Sequence, residues 1–442
     1  MGLMALLIGL FALVTSILVA SRTKGPHIRS AIFHPVFFVG FFSCLVGLDF
    51  FVLDLSLQNA TWVTFATFHL QGQSEFSWAV IVFAIMTAAS LGGYTLGLGF
   101  RMQWPVFGKF VNRYESYPQA TKVPLLIFVA MAAWFVLVPL INEVLSRGIL
   151  AIAGLRQVFL GESLIYYLVT LCIVPSFFIF CSDRRPRWIL IAASILLCIF
   201  FVLIGTRGSV VMVALGLVTA IYHHRKVRLG LVLVVGFAVI WIGYLYTYAT
   251  RFQHGYSSLA EFRSEMGGPF DYIMNSSEMS IAESMMLHLN QHSIDRGPLD
   301  SFLGALFAFV PRDLIPWKPM GFSTHMTSHI DMDRWLLVKS EWTVSGYVNV
   351  VYEMGVIGGA LANFALFCAL GALFRGARDH RAAAIFAVCC QIYLMLGYLR
   401  SDIHNLGVRA WAILVVLVVF KLGLHAHSLV RPAGNKNRNW EY

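Results

Sequence analysis

The sequence predicts an all-α, polytopic membrane protein with about eleven transmembrane helices and one large loop on the non-cytoplasmic side. Of its 442 residues, 58% are hydrophobic and only 12% are charged, whereas a soluble domain carries roughly 25% charged residues. Apolar runs of about 20 residues recur, and each is long enough to cross a hydrocarbon core of roughly 30 Å. Backbone amides in that core must be satisfied within their own segment, so these runs are predicted to be helices.

The apolar runs divide the chain into four parts. Transmembrane helices 1 to 8 are expected within residues 1–250 and helices 9 to 11 within 346–424, before a cytoplasmic tail at 425–442. Residues 251–345 form the large loop, in which Ser276–Gln291 is predicted to be a helix because a serine cap precedes Glu278. The predicted spans are 2–20, 31–53, 77–100, 123–142, 163–182, 188–204, 209–222, 229–250, 346–374, 382–399 and 410–424.

Charge predicts the orientation. The connections on one side of the predicted membrane, together with the tail, hold 20 of the 32 Lys and Arg residues but only four of the 22 acidic residues. By the positive-inside rule that side is cytoplasmic, so the large loop faces the other side. The net charge of +10 is therefore assigned to membrane orientation and not to nucleic-acid binding. The seven cysteines all lie in apolar stretches and predict neither a disulfide framework nor a thiolate metal site.

Several cations lie on the predicted outer side, where the positive-inside rule makes them scarce. Guanidinium is a planar, permanently charged fork that suits phosphate oxygens, so converging arginines would suit a lipid-linked pyrophosphate. The alternative is that each cation reaches a lipid headgroup or pairs with a nearby acid such as Asp313 or Asp402. The candidate pyrophosphate ligands are Arg207, Arg251, Arg312, Lys318, Arg400 and Arg409.

A general base, which would take a proton from an acceptor hydroxyl, is sought among the histidines and acids of the predicted outer side. Glu278 and His325 are the two candidates. Glu353 lies inside the ninth predicted span, where its desolvation requires a partner. His325 and His329 are four residues apart, but no third ligand has a recognisable spacing, so no metal site is predicted.

Glycines are frequent in the ninth predicted span. Gly355 and Gly359 have the small-xxx-small spacing of closely packed membrane helices. Close helix packing is therefore the predicted role of Gly346, Gly355, Gly358 and Gly359.

Three features, in order along residues 200–410, resemble the Wzy-type O-antigen or oligosaccharide repeat-unit polymerases. The first is a short hairpin, Gly205-Thr206-Arg207-Gly208-Ser209, between two apolar helices. The second is the Glu278 region followed by Pro311-Arg312 and Pro316-Trp317-Lys318-Pro319. The third comprises Ser345-Gly346-Tyr347, Asn349, Tyr352-Glu353, Gly355 and Gly358, with Arg400-Ser401-Asp402 beyond the next span.

The resemblance implies a GT-C-like glycosyltransferase of the bacterial inner membrane whose active site faces the periplasm. Such an enzyme transfers a growing glycan from polyprenyl pyrophosphate to a lipid-linked repeat unit and needs neither metal nor cofactor. Its donor and acceptor are both polyprenyl-pyrophosphate-linked oligosaccharides, and a chain-length regulator is expected as a partner. The family's reliance on periplasmic arginines extends to Arg207 and Arg312 as catalytic residues, and less directly to Arg251 and Arg400. Asp313 departs from this pattern because it can neutralise Arg312.

Two other activities fit the same chain. An O-antigen ligase would transfer finished glycan to lipid A-core by similar chemistry. A lipid-linked sugar flippase would move the substrate without forming a bond, but transporters of that kind tend to show internal repeats and midplane polar residues. We find no internal repeat, and the polar residues concentrate in one outer loop.

Overall fold

The computed structural model describes residues 1–28, 30–59, 74–100, 281–290, 296–310, 313–330 and 344–430, with a few isolated positions between them. Every regular element in these ranges is helical. The helices are α1 (Gly2–Thr23), a 3₁₀ turn (Ala31–Phe33), α2 (Pro35–Asn59), α3 (Ser74–Gly97), α4 (Ile281–Asn290), α5 (Asp300–Leu306), α6 (Phe322–Ile330), α7 (Gly346–Ala377), α8 (Arg381–Arg400) and α9 (Ile403–Val430).

Five of the described helices are long and apolar enough to cross a membrane. They contain the stretches Gly2–Thr23, Pro35–Leu55, Phe76–Gly97, Gly346–Ala377 and Ala383–Arg400, and α9 adds a shorter apolar stretch, Ile403–Val419. The chain is therefore an all-α, membrane-embedded protein, as predicted. The spans predicted between residues 123 and 250 lie outside the described residues.

The first two spans pack through small side chains. Gly2, Ala5, Gly9 and Ala12 are buried on one face of α1, and a Cβ atom added to Gly9 would lie 2.7 Å from the Ser43 carbonyl oxygen of α2. Small residues let membrane helices approach closely, and dispersion contacts then hold them together. The opposite face of α1 exposes large apolar side chains, and it is the face that lipid would cover: Leu3, Leu7, Phe11, Val14 and Leu18.

Contacts between distant residues define two ends of the helix bundle. At one end, which we call the basic end, His27 Nε2 lies 3.0 Å from the Asp379 carbonyl oxygen, and Arg378 Nη1 donates to the Thr23 carbonyl. At the other, the loop end, Asp49 of α2 accepts a hydrogen bond from the Ala282 amide of α4. The two described basic connections thus share one end, the arrangement that the charge count predicts for them.

Helix α7 is broken at Gly355, and its two segments fold back on each other. Gly355 has φ 72° and ψ 173°. Tyr347 and Asn363 lie eight residues before and after it, and would be about 24 Å apart in a continuous helix. Both nevertheless contact the Ser90 hydroxyl of α3, each at 2.8 Å. Residues 346–354 therefore form a short re-entrant helix inside the bundle, and residues 356–377 are long enough to cross the membrane.

The break corrects one prediction about the glycines of this segment. No atom of the described residues lies within 4 Å of a Cβ atom added to Gly355, so its predicted packing role is not found among them. Its φ and ψ fall in a region that is almost exclusive to glycine, and this conformation is what the hairpin requires. The packing role holds at Gly359, where an added Cβ would lie 3.0 Å from the Val350 backbone across the hairpin.

Gly355→Ala should destabilise the protein by about 1–3 kcal/mol, because alanine is strained at this φ and ψ. Gly92→Ala is the matched control: it lies within α3, where an added Cβ meets only the Phe364 ring at 3.7 Å. That change should be neutral or slightly stabilising. Thermal unfolding in detergent compares the two variants, and equal midpoints would contradict the hairpin.

Candidate functional site

A buried ion pair joins the large loop to the re-entrant helix at the loop end. Arg296 Nε lies 3.0 Å from Glu353 Oε1, and the two side chains are 2% and 0% exposed. Glu353 sits next to the break at Gly355, and Arg296 comes from a stretch 57 residues earlier. The carboxylate that sequence analysis expected to need a partner therefore has one. A charge pair this deeply buried requires further hydrogen bonds to offset its desolvation.

Ser301 and Asn349 supply those further bonds. The Ser301 hydroxyl donates to Glu353 Oε1 at 2.6 Å and accepts from Arg296 Nη2 at 3.1 Å. The Ser301 amide donates to Glu353 Oε2 at 3.2 Å. Asn349 Nδ2 donates to the same hydroxyl, and its Oδ1 accepts from the Ile403 amide. We call Arg296, Ser301, Asn349 and Glu353 the ion-pair cluster. It ties together α5, α7 and the start of α9.

A second buried carboxylate, Asp402, caps two helices at once. Its Oδ1 accepts from the Asn405 amide at 2.9 Å in the first turn of α9. Its Oδ2 accepts from the Ser323 amide at 2.8 Å in the first turn of α6. Helix N-termini carry unsatisfied amides, and an Asp cap satisfies them. Asp402 thereby fixes the start of α9 at residue 403, although the predicted span began at residue 410.

His325 lies on α6 beside the ion-pair cluster. Arg296 stacks over the Phe322 ring, with its guanidinium carbon 5.4 Å from the ring centroid, one helical turn before His325. Burial, followed by the charges of Arg296 and His329, lowers the pKa of His325 from its ordinary value, while Asp300 acts in the opposite direction. The imidazole is therefore neutral near pH 7 and able to accept a proton.

The ring nitrogen Nε2 of His325 is the atom of this side chain that a ligand could engage. It is buried, and no hydrogen-bond partner for it is found in the part of the chain that the structure describes. A buried polar atom without a partner costs free energy unless a ligand or water satisfies it. A neutral imidazole with this free nitrogen suits a group that takes a proton from a bound hydroxyl.

Lys318 is turned inward. The residue is 7% exposed, and its Nζ donates to the Ala308 and Val310 carbonyls at 2.8 and 3.1 Å. These carbonyls lie beyond the end of α5, outside its intrahelical hydrogen bonds. The ammonium therefore ties Lys318 to the segment that follows α5.

The other predicted site residues are placed as follows. Arg409 lies within α9, where Nη1 donates to the Tyr393 carbonyl at 2.7 Å and the guanidinium carbon stacks 4.8 Å from the Tyr393 ring centroid. It connects α9 to α8. Arg400 is the last residue of α8, directly before the turn at Ser401 and Asp402. The candidates Arg207, Arg251, Arg312 and Glu278 lie outside the described residues.

Sequence analysis missed Arg296 and Ser301. Arg296 is one of the few cations on the predicted outer side, and the scarcity of cations there could have marked it as a candidate. Ser301 gave no signal, since serine is common in loops. Within the described ranges, no group of three or more His, Cys, Asp or Glu side chains is arranged to hold a metal ion.

No family model, no curated protein and no solved structure matches this chain. Function therefore has to be inferred from the chemistry of the residues at the loop end.

Removing one member of the ion pair should be costly, because the other charge is left buried. We expect Arg296→Met to destabilise the protein by about 3–5 kcal/mol, and Arg296→Met/Glu353→Leu to cost less than that single change. Asp379→Ala is the control, since its pair with Arg378 spans 3.6 Å and its side chain is 64% exposed. It should cost at most about 1 kcal/mol. Chemical unfolding in detergent measures all three, and a double variant that costs as much as Arg296→Met or more would contradict the coupling.

Proposed function

We propose that this protein is a membrane glycosyltransferase that lengthens a glycan carried on polyprenyl pyrophosphate. The observation that carries the proposal is His325, a neutral imidazole whose buried Nε2 is unpartnered among the described residues. It lies beside the buried guanidinium of Arg296, at the end of the bundle opposite the basic connections. The charge distribution and the resemblance to repeat-unit polymerases support the proposal that this end faces the periplasm from the bacterial inner membrane.

The proposed reaction is a displacement at the anomeric carbon of the growing glycan. His325 Nε2 accepts the proton of a hydroxyl on the acceptor repeat unit, and that oxygen forms the new glycosidic bond. The bond from the anomeric carbon to the pyrophosphate oxygen breaks, and the polyprenyl pyrophosphate leaves with both bonding electrons. Fixed cations stabilise this developing negative charge most strongly in the transition state.

The described cations narrow the choice of pyrophosphate ligands. Lys318 is committed to backbone carbonyls and Arg409 to Tyr393. We therefore assign the pyrophosphate role first to Arg207 and Arg312, with Arg251 and Arg400 as further candidates. Arg296 acts as a positioning residue, since each of its three nitrogens already donates a hydrogen bond within the protein, to Glu353, the Met320 carbonyl and Ser301. Glu278 remains the alternative base.

The direct test is lengthening of a lipid-linked repeat unit by purified protein in liposomes, with and without chelator. A ladder of products that forms equally in both conditions supports a metal-independent polymerase. Transfer only to a lipid A-core acceptor would instead identify a ligase. Translocation of the substrate without any new bond would identify a flippase and overturn the proposal.

His325→Gln should reduce the rate of lengthening by about 10²–10⁴-fold, the range that a positioned general base contributes. His329→Gln is the matched control, because His329 lies four residues later on the same helix and is exposed. It should retain most activity at neutral pH. Equal activity in the two variants at matched protein levels would remove His325 from the mechanism.

The pH dependence provides a signed test of the same role. Because the pKa of His325 is lowered, we expect activity to be lost on acidification only below about pH 6.5, the ordinary histidine value. His329→Gln removes a charge that lowers this pKa, so the fall should move to higher pH. Asp300→Asn removes a charge that raises it, so the fall should move to lower pH. Rates measured from pH 4.5 to 8 would contradict the assignment if both variants shifted the same way.

A further inference from the structure

The loop end carries an apolar surface that no described element covers. Six large side chains of the loop are each between 38% and 74% exposed, and together we call them the apolar tip: Leu299, Phe302, Leu303, Leu306, Leu314 and Trp317. Monomeric soluble proteins rarely expose a contiguous apolar patch of this kind, and such patches mark interaction or membrane-contact surfaces.

The position of α5 shows how far this surface reaches along the bundle. Ser301 bonds Asn349, which in turn bonds the first amide of α9, so α5 begins level with the start of α9. A Cβ atom added to Gly407 would meet Ala305, so the last turn of α5 lies beside the second turn of α9. Helix α5 therefore runs alongside α9, in the same direction, and advances about 6 Å from Ser301 to Ala305.

Two tryptophans mark the same level. Trp411 of α9 donates its indole N–H to the Ala305 and Leu306 carbonyls at 3.2 and 3.0 Å. Trp317 packs edge-on against Phe307, with ring centroids 5.4 Å apart. Tryptophan is enriched at the boundary between headgroups and acyl chains, where one part of the ring is apolar and another polar.

The apolar tip continues the surface that lipid covers on α9. Between Trp411 and Val419 the exposed side chains of α9 are apolar: Leu414, Val418 and Val419. Two cations of the loop are drawn away from this surface: Lys318 donates to backbone carbonyls, and Arg296 is buried in the ion-pair cluster. Asp313 is exposed, and it limits how deep the tip can go, because a carboxylate is costly in hydrocarbon.

We infer that residues 299–310 and 313–317 dip into the lipid leaflet at the loop end, so that this part of the loop is inserted into the membrane. Its occupant is the lipid of that leaflet, at the boundary of headgroups and acyl chains. Elements of this type bury their apolar face about 5–10 Å deep. The inference does not depend on the proposed glycan chemistry, since it follows from exposure and from the register with α9.

The test is the collision accessibility of spin labels on the full-length protein in nanodiscs. Labels are placed singly at Leu306→Cys and Leu314→Cys, after subtraction of the signal from the seven native cysteines. Val418→Cys, on the apolar surface of α9, reports lipid, and His329→Cys, exposed on α6, reports water. At positions 306 and 314 we expect the label to be more accessible to oxygen than to a water-soluble nickel chelate, as at position 418.

Two outcomes would overturn the inference. Nickel accessibility at 306 and 314 as high as at 329 would place the tip in water. Low accessibility to both reagents would mean that protein covers the tip, either another part of this chain or a second copy. The Val418 and His329 labels check the fold in each preparation, because they must keep their lipid and water signatures.

Discussion

The ion pair between Arg296 and Glu353 is the constraint on which the loop end depends. It places a permanent charge in a buried position, where the Glu353 carboxylate, the Ser301 hydroxyl and the Met320 carbonyl stabilise it. Because Glu353 adjoins the break at Gly355, the pair fixes the outer end of the re-entrant helix and the start of α5 together.

The hydrogen bonds around the ion pair explain how a polar site can exist inside an apolar bundle. Buried backbone and side-chain groups within a membrane protein must find partners in the protein itself. Ser345 caps the inner end of the re-entrant helix, Tyr347 and Asn363 share Ser90, and Asp402 caps both α6 and α9. The Nε2 atom of His325 is buried and has no partner among the described residues, which makes it a candidate position for a ligand.

Helix periodicity and charge predicted the helices but not the contacts that connect them. The first three spans were placed within a few residues, and Glu353 was expected to need a partner. The identity of that partner could not be predicted, since Arg296 is 57 residues away and no periodic pattern links the two. The hairpin at Gly355 was missed because residues 346–374 are one continuous apolar run, in which a glycine with positive φ has the same sequence signature as a packing glycine. The surroundings of His325 suit its predicted role as a base, and that role stays a prediction.

Hydrogen exchange of the protein in nanodiscs tests most directly whether the ion pair couples α5 to the re-entrant helix. The account predicts that amides of residues 300–306 exchange as slowly as those of 346–354, since the Ser301 amide is bonded to Glu353. In Glu353→Leu both segments should lose protection together, while α1 and α2 keep theirs. Fast exchange of residues 300–306 in the unaltered protein, or loss of protection in only one segment of the variant, would contradict it.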